Sequence, residues 1–343
     1  SGKNSVILAR ACGSLGVTDA AVLKKLVVMA SNSDWDTKRT AYRAIAHIGA
    51  TGYKRFFYDE INSNSNYQRA YALQMNFLYL RQLKAKAGAA KTCRAYIGKL
   101  QGQEDAPFLI NALSTLLEVD TNSADEVLKY LEHANPRIRT GVARIIKSSG
   151  NKAVSKKLMA LLLSSSTAAK IEIIDIMIKL DAGAIEPFIL KSLSSSEKDL
   201  QKKALSCSVN MDAAVVTPHL LKFLLNGSKE DNKMAKKTFS QMTLTKKAVA
   251  QIYATYAKQS DSSKKVSLLT LLGDRAVKGS VPFLLKAAEG DDSKCRKAAL
   301  KALKNTSTVK DTSILLATLG KMAKNRDAKY IQHGLVKAFK GEE

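Results

Sequence analysis

The sequence predicts an all-α fold, an α-solenoid (α-α superhelix) of about eleven two-helix repeats. Two observations support this prediction. Segments with apolar residues at helical spacing recur about every 32 residues along the whole chain, and a second helical stretch lies between successive segments. We therefore expect residues 1–343 to form a single repeat array, complete or part of a longer protein, whose core grows with each added unit.

The recurring segment predicts the second helix of each unit. In most copies a basic residue precedes small and apolar residues, and the eleven copies run through Val6, Arg39, Arg69, Glu104, Arg139, Lys170, Lys202, Lys236, Lys264, Arg296 and Lys329. Ten apolar stretches between them, such as 19–30 and 151–163, predict the first helices. The sequence thus predicts 21 or 22 helices and no strand.

Helix boundaries are indicated by capping residues, glycines and prolines. Ser123 is followed by Asp125 and Glu126, the pattern of a helix N-terminus. Four glycines follow apolar segments and are expected to end helices: Gly16, Gly49, Gly150 and Gly273. Three prolines are expected in the first turn of their helices, where no intrahelical hydrogen bond is lost: Pro187, Pro218 and Pro282.

Three segments carry a resemblance to a known repeat. Residues 33–49 (SDWDTKRTAYRAIAHIG), 134–150 (ANPRIRTGVARIIKSSG) and 281–305 combine an apolar helix, a polar turn, a basic residue and a small-and-apolar ending. They resemble the HEAT repeat, especially its short bacterial form, the phycobilisome-lyase HEAT-like repeat. The copies near Glu104 and Lys170 depart from this pattern. The resemblance implies an interaction scaffold, since HEAT arrays mostly act as scaffolds and only a few are enzymes.

The net charge of +25 is distributed unevenly. Residues 1–100 carry +11, residues 101–200 carry −1 and residues 201–343 carry +15. The neutral centre argues against a nucleic-acid duplex bound along the full length, and the 42 Lys and 13 Arg favour a solvated surface over base readout. Nonspecific attraction of polyanions is still expected.

A Lys or Arg recurs beside an Asp in several repeats. These cations either bind phosphates or connect neighbouring repeats, with the Asp capping a helix, and we favour the structural interpretation. The pairs are Asp36 with Arg39, Asp199 with Lys202, Asp292 with Arg296 and Asp327 with Lys329.

Residues 35–96 contain 11 of the 21 aromatic residues, interleaved with arginines. Such a mixture predicts either a binding patch or larger side chains that fill the junctions between repeats. The preferred members of a binding patch are Trp35, Arg39, Arg43, Lys54, Arg55 and Arg69. Trp35, the single tryptophan, is expected in a turn between two helices.

No catalytic residue, metal site or cofactor is predicted. His47, His133, His219 and His333 lie in different repeats without ligand spacing. The four cysteines are expected to be buried thiols: Cys12, Cys93, Cys207 and Cys295.

The preferred function is a non-catalytic scaffold that binds a protein or peptide on a concave surface formed by the second helices. One alternative is a nucleic-acid-binding protein or a HEAT-like DNA glycosylase. Another is a repeat domain attached to an enzyme domain outside this chain. We expect a monomer without a membrane span, either cytoplasmic or exported with a signal removed before Ser1.

Overall fold

The computed structural model describes residues 2–32, 34–61, 65–100, 102–322 and 327–340. Within these ranges the chain forms 21 α-helices and six short 3-10 helices, and it contains no strand. The prediction of an all-α solenoid built from two kinds of helix is confirmed. No helix in the described ranges is both long enough and apolar enough to cross a membrane.

The odd-numbered helices correspond to the predicted second helices. They are α1 (Gly2–Leu15), α3 (Trp35–Ile48), α5 (Asn66–Gln82), α7 (Ala106–Val119), α9 (Pro136–Ser149), α11 (Thr167–Leu180), α13 (Lys198–Cys207), α15 (Lys229–Gln241), α17 (Ser262–Asp274), α19 (Ser293–Thr306) and α21 (Ala328–Lys340). All eleven predicted segments lie on these helices.

The even-numbered helices correspond to the predicted first helices. They are α2 (Ala20–Ala30), α4 (Tyr58–Ile61), α6 (Lys86–Lys99), α8 (Ala124–Leu128), α10 (Val154–Leu162), α12 (Ala182–Ser192), α14 (Ala213–Asn226), α16 (Lys246–Lys258), α18 (Val281–Ala288) and α20 (Thr312–Lys321). Short 3-10 helices extend several repeats, at Lys54–Phe57, Gln103–Asp105, Thr121–Ser123, Lys129–Glu132, Ser208–Asn210 and Val309–Asp311.

The chain divides into two compact units, Ser1–Ile185 (unit 1) and Glu186–Glu343 (unit 2). In unit 1 the odd-numbered helices pack in sequence order, from α1 on α3 to α9 on α11. In unit 2, α13 packs on α15, and α19 packs between α17 and α21. Odd-numbered helices also pack on the even-numbered helix that precedes them, as α7 does on α6 and α15 on α14. Apolar faces are thus buried both within a repeat and against neighbouring repeats, as expected for a repeat protein.

Glycine allows some odd-numbered helices to approach each other closely. A Cβ atom on Gly13 of α1 would lie 2.8 Å from the Cα of Ala44 in α3. A Cβ atom on Gly273 of α17 would likewise lie 2.8 Å from the Cα of Ala302 in α19. Gly273 lies close to the predicted helix end, as the next-to-last residue of α17, but it has no left-handed φ and packs against α19.

The other helix-ending glycines behave as predicted. Gly49 and Gly150 are the C-caps of α3 and α9 with left-handed φ values of 62° and 63°. Gly16 follows α1 with a φ of 65°. Glycine adopts this conformation without the steric penalty of a side chain, and it therefore ends these helices.

The prolines fulfil the prediction only once. Pro282 lies in the first turn of α18, but Pro187 and Pro218 lie inside α12 and α14. The two helices begin earlier than predicted, and Asp212 caps α14 by accepting a hydrogen bond from the Ala214 amide at 2.8 Å. Pro218 tolerates this interior position because the Ala214 carbonyl, four residues earlier, accepts a hydrogen bond from a side chain in α16.

Candidate interaction surface

Eight of the eleven aromatic residues between 35 and 96 fall into two groups. Five are buried, and their rings pack in pairs: Tyr42 with Phe57 at 5.7 Å between centroids, Phe57 with Tyr79 at 5.5 Å, and Phe77 with Tyr96 at 5.4 Å. The hydroxyl of Tyr79 donates to the Ala50 carbonyl at 2.7 Å. For this group the packing explanation is sufficient.

A second group lies at the surface, where the N-termini of α3 and α5 meet. The Trp35 ring makes edge contacts with Tyr67 at 5.9 Å and with Tyr71 at 5.7 Å. Tyr67 is 59% exposed, and Trp35 and Tyr71 are half-buried. The Tyr71 hydroxyl donates to the backbone carbonyl of Arg39 at 2.9 Å, which fixes α5 against α3.

Trp35 is the first residue of α3, and its expected position in a turn is wrong. The preceding residue, Asp34, caps the helix by accepting a hydrogen bond from the Thr37 amide at 2.9 Å. The Thr37 hydroxyl also donates to Asp34 and lowers the pKa of its carboxyl. The Trp35 Nε1 atom is buried without a hydrogen-bond partner among the described residues. An unpaired buried donor destabilises a fold by about 1–3 kcal/mol.

Two arginines lie on the Trp35 face of α3, one and two turns further along. Arg39 Nε lies 3.0 Å from Asp36 Oδ1, and both side chains are well exposed. Arg43 is exposed and has no carboxylate partner in the described part of the chain. Burial raises the pKa of Tyr71, an effect that the nearby charges of Arg43 and Arg39 oppose. We call Trp35, Arg39, Arg43, Tyr67 and Tyr71 the aromatic–arginine surface.

The structure does not place Lys54 and Arg55 on this surface. Both lie on the 3-10 helix Lys54–Phe57, beside Tyr53, whose amide donates to the Tyr79 hydroxyl at 3.3 Å. Tyr79 and Tyr67 lie at opposite ends of α5, about 18 Å apart by the helical rise. Lys54 and Arg55 are therefore at the far end of α5 from Trp35.

Arg69 has a structural contact. It lies on α5 and donates to Asp105 Oδ1 at 2.9 Å, at the start of α7. Tyr67 and Tyr71, in contrast, are part of the surface although they were not among the preferred residues. They follow Trp35 and Arg39 by 32 residues, the repeat period, so the repeat alignment contained the signal for their proximity.

Ion pairs connect successive repeats of unit 1. The pairs are Arg69 to Asp105 at 2.9 Å, Arg81 to Glu118 at 3.2 Å, Arg94 to Asp120 and to Glu126 at 2.7 Å each, and Lys157 to Asp125 at 2.8 Å. Hydrogen bonds from Arg94 lower the pKa values of Asp120 and Glu126. Most of these cations stabilise the stack and are not free to bind a ligand.

The four predicted Asp and cation pairs have several structural roles. Asp292 caps α19, and Arg296 donates to the Gly290 carbonyl at 3.0 Å. Lys202 pairs with Glu230 of the next repeat at 3.1 Å, and Lys329 lies over the Tyr330 ring at 5.4 Å. Asp36 pairs with Arg39 within α3. In these cases the charged residues cap helices or contact other residues of the chain, which agrees with a structural role.

The thiols and histidines offer little chemistry. Cys93, Cys207 and Cys295 are buried, Cys12 is half-buried, and all four are free. Burial raises the pKa of the Cys93 thiol to about 12, so it stays protonated and unreactive at neutral pH. His133 accepts a hydrogen bond from the Asn135 amide at 3.0 Å. Across the described ranges, no group of three or more His, Cys, Asp or Glu side chains is arranged to hold a metal ion.

Comparison with known proteins identifies the fold. No protein-family model matches the chain, and no curated protein is significantly similar to it in sequence. Among solved structures, Kap121p is similar with a TM-score of 0.50 and 11% identity over 94% of this chain. The fold is that of a HEAT-like helical-repeat solenoid. This chain spans 42% of the length of Kap121p.

Two further solved structures have lower scores. One is the complex of CpcE and CpcF of phycocyanin lyase from a Nostoc species, with a TM-score of 0.30 and 15% identity over 79% of this chain and 88% of that one. The other is a microtubule polymerase with a TOG domain array, with a TM-score of 0.32 and 10% identity over 99% of this chain and 98% of that one.

Proposed function

We propose that this chain is a non-catalytic scaffold that binds a protein or peptide through the aromatic–arginine surface of unit 1. The observation that carries this proposal is the exposed Arg43, which has no carboxylate partner among the described residues and lies two turns along α3 from Trp35. The Trp35 ring itself makes edge contacts with Tyr67 and Tyr71. Tryptophan, tyrosine and arginine are the residues that most often dominate the binding energy of protein interfaces.

The chemistry of the surface selects the class of partner. Arg43 offers a guanidinium group that a carboxylate can bind in a bidentate manner. The rings of Trp35, Tyr67 and Tyr71 offer apolar area to an adjacent aliphatic or aromatic side chain. We therefore propose a peptide segment in which an acidic residue lies close to a large apolar residue.

The position of the surface also supports a scaffold. Its residues lie on α3 and α5, which are odd-numbered helices, and we propose that this row carries the binding surface of a single array in a monomer. The resemblance of 33–49, 134–150 and 281–305 to the short bacterial HEAT-like repeat supports the same function, because most HEAT arrays are scaffolds. We also propose that the repeats of this chain belong to that bacterial type.

The experiment uses a random dodecapeptide display library selected on the immobilised protein. Selected peptides are then titrated against two double variants that each remove two positive charges: Arg39→Ala/Arg43→Ala on the surface, and Lys54→Ala/Arg55→Ala at the far end of α5. We expect enrichment of acidic and apolar peptides. Loss of a dominant interface contact, about 2 kcal/mol, weakens binding about 30-fold in the first variant.

The second variant is the matched control, and its affinity should change by less than about threefold, the effect of exposed charge alone. Equal losses in both variants at unchanged melting temperature would show that only net charge matters. A selection without any enriched peptide that binds in solution would also contradict the proposal.

A further inference from the structure

The outward face of α19 in unit 2 carries four exposed lysines. We call Lys294, Lys297, Lys301 and Lys304 the lysine face. None of them forms an ion pair with a described residue, in contrast to the paired cations Arg69, Arg81 and Arg94 of unit 1. Ion pairs between repeats therefore do not explain why these four positions are lysine.

Helix stability explains only Lys304, which lies in the last turn of α19, where the helix dipole favours a positive charge. The members of the lysine face follow each other at intervals of three or four residues, so their charges are neighbours along one side of α19 and repel each other. Lys294 and Lys297 also lie in or next to the first turn, where the helix dipole disfavours a positive charge. Lys294, Lys297 and Lys301 therefore make α19 less stable than neutral residues would.

A groove of about 600 Å³ runs between α17 and α19 beside this face. Lys294, Lys297 and Lys301 line one wall. The hydroxyl-bearing residues Ser263 and Thr270 of α17 line the other, together with one carboxylate, Asp274, so the three lysines outnumber the single acidic group. Between the walls the lining side chains are small and apolar: Val266, Ala298 and Ala302. Ammonium and hydroxyl groups on opposite walls are suited to bind phosphate oxygens.

The arginines of this region are engaged elsewhere. Arg275 donates to the carbonyls of Ser240 at 2.7 Å and Met242 at 2.6 Å, and Arg296 donates to Gly290. The Tyr330 ring lies beneath Lys301 and Lys329, whose Nζ atoms are 5.8 Å and 5.4 Å from its centroid. Neither a free guanidinium group for base readout nor an uncovered ring for base stacking lies among the described residues that line the groove.

We propose that the lysine face and the α17–α19 groove bind the phosphate backbone of duplex nucleic acid without sequence preference. The lack of a stacking ring in the groove disfavours a single strand. The lysine face extends about 15 Å along α19, the length of about four phosphates on one strand. A local site of this size is compatible with the neutral charge of residues 101–200.

The experiment measures binding of a mixed-sequence 20-base-pair DNA duplex to the full chain by fluorescence anisotropy in a salt series. The test variant is Lys294→Gln/Lys297→Gln/Lys301→Gln. The matched control, Lys246→Gln/Lys247→Gln/Lys258→Gln, removes three exposed lysines of α16 in the same unit. Both variants have the same net charge, and neither replaces a buried residue.

We expect the test variant to lower the slope of log affinity against log salt by about 2.7, which corresponds to three phosphate contacts. The ratio of wild-type affinity to variant affinity should then fall about 40-fold as the salt concentration rises from 50 to 200 mM. The control keeps most of the wild-type slope. Equal slopes in the two variants, or no duplex binding by wild type, would overturn the proposal.

A poly-glutamate of equal charge distinguishes the duplex from an acidic polymer. The proposal requires that the duplex binds more tightly than poly-glutamate and that only the duplex depends on the lysine face. Equal affinity and equal dependence would assign the face to acidic polymers in general and overturn the choice of partner. This result would be independent of the peptide surface in unit 1.

Discussion

The side chain of Gln251 in α16 donates from Nε2 to the backbone carbonyl of Ala214 in α14 at 2.9 Å. Pro218 lies four residues after Ala214 and has no amide hydrogen, so this carbonyl lacks its intrahelical donor. The first helix of one repeat thus satisfies a defect in the first helix of the preceding repeat. Ala214 is buried, so water does not readily replace the glutamine.

Replacement of Gln251 tests this relationship. Gln251→Ala should lower the free energy of unfolding by about 1–3 kcal/mol, because it leaves the buried Ala214 carbonyl without a donor. In a Pro218→Ala background the new amide supplies the missing donor, and the same replacement should have a smaller effect. Urea unfolding of the four proteins measures this coupling, and equal losses in both backgrounds would contradict it.

Close helix packing predicts opposite effects at two glycines of unit 2. Gly273→Ala brings a methyl group against Ala302 and should destabilise the protein by about 1–3 kcal/mol. Gly320→Ala in α20 meets no atom within 4 Å and should stabilise it by about 0.5–1 kcal/mol. Thermal unfolding compares the two variants, and a Gly273→Ala protein as stable as wild type would refute the packing argument.

The period of about 32 residues was sufficient to predict both rows of helices, because each repeat buries its apolar face against neighbours that have the same pattern. The starts of α12 and α14 were not predicted. Local propensity predicts Pro187 and Pro218 in the first turn of a helix. In the structure, the hydrogen bond that the Ala214 carbonyl loses to Pro218 is replaced by one from Gln251, 37 residues later, and a local rule does not see this contact. The close approach of Gly273 to Ala302 was not predicted, because Ala302 lies in the next repeat.

The positions of the candidate binding residues were predicted in part. The sequence named Trp35, Arg39 and Arg43 as preferred members of a binding patch, and all three lie on α3, although Trp35 was expected in a turn. Lys54 and Arg55 are close to Arg43 in the sequence, but α3 carries the chain away from Trp35 before they occur. The net charge gave no indication of which cations have partners, because pairing depends on carboxylates about one repeat away, such as Asp105 for Arg69.

The carboxylate of Asp292 predicts a specific pH dependence. A hydrogen bond from the Ser262 hydroxyl, aided by the Cys295 amide, lowers the pKa of Asp292 to about 2. Since the pKa is lower in the folded state than the usual value of about 4, the stabilisation is complete above that value. It is lost as the pH falls from about 4 towards 2.

Asp292→Asn checks this dependence by urea unfolding between pH 6 and pH 3. The stability difference between wild type and variant should stay constant above pH 5 and shrink below pH 4, because only the wild-type residue takes up a proton there. A difference that does not change with pH would contradict the role assigned to the carboxylate.

Repulsion within the lysine face predicts a gain in stability when charge is removed. Lys297→Gln should raise the free energy of unfolding by about 0.5 kcal/mol at low salt, because Lys297 lies between Lys294 and Lys301 on one side of α19. Lys202→Gln is the control and should lower stability, because Lys202 pairs with Glu230. Thermal melts at 20 mM and 500 mM salt compare them, and a destabilised Lys297→Gln protein would contradict the account.

Fluorescence of Trp35 tests the central claim most directly, because Trp35 is the single tryptophan of the chain and belongs to the proposed peptide surface. Titration with a selected acidic and apolar peptide should shift the Trp35 emission to shorter wavelength and reduce its quenching by acrylamide. Titration with the DNA duplex should leave both unchanged, since its proposed site lies in unit 2. A peptide that binds by calorimetry while Trp35 emission and quenching stay the same would contradict the assignment of the scaffold surface.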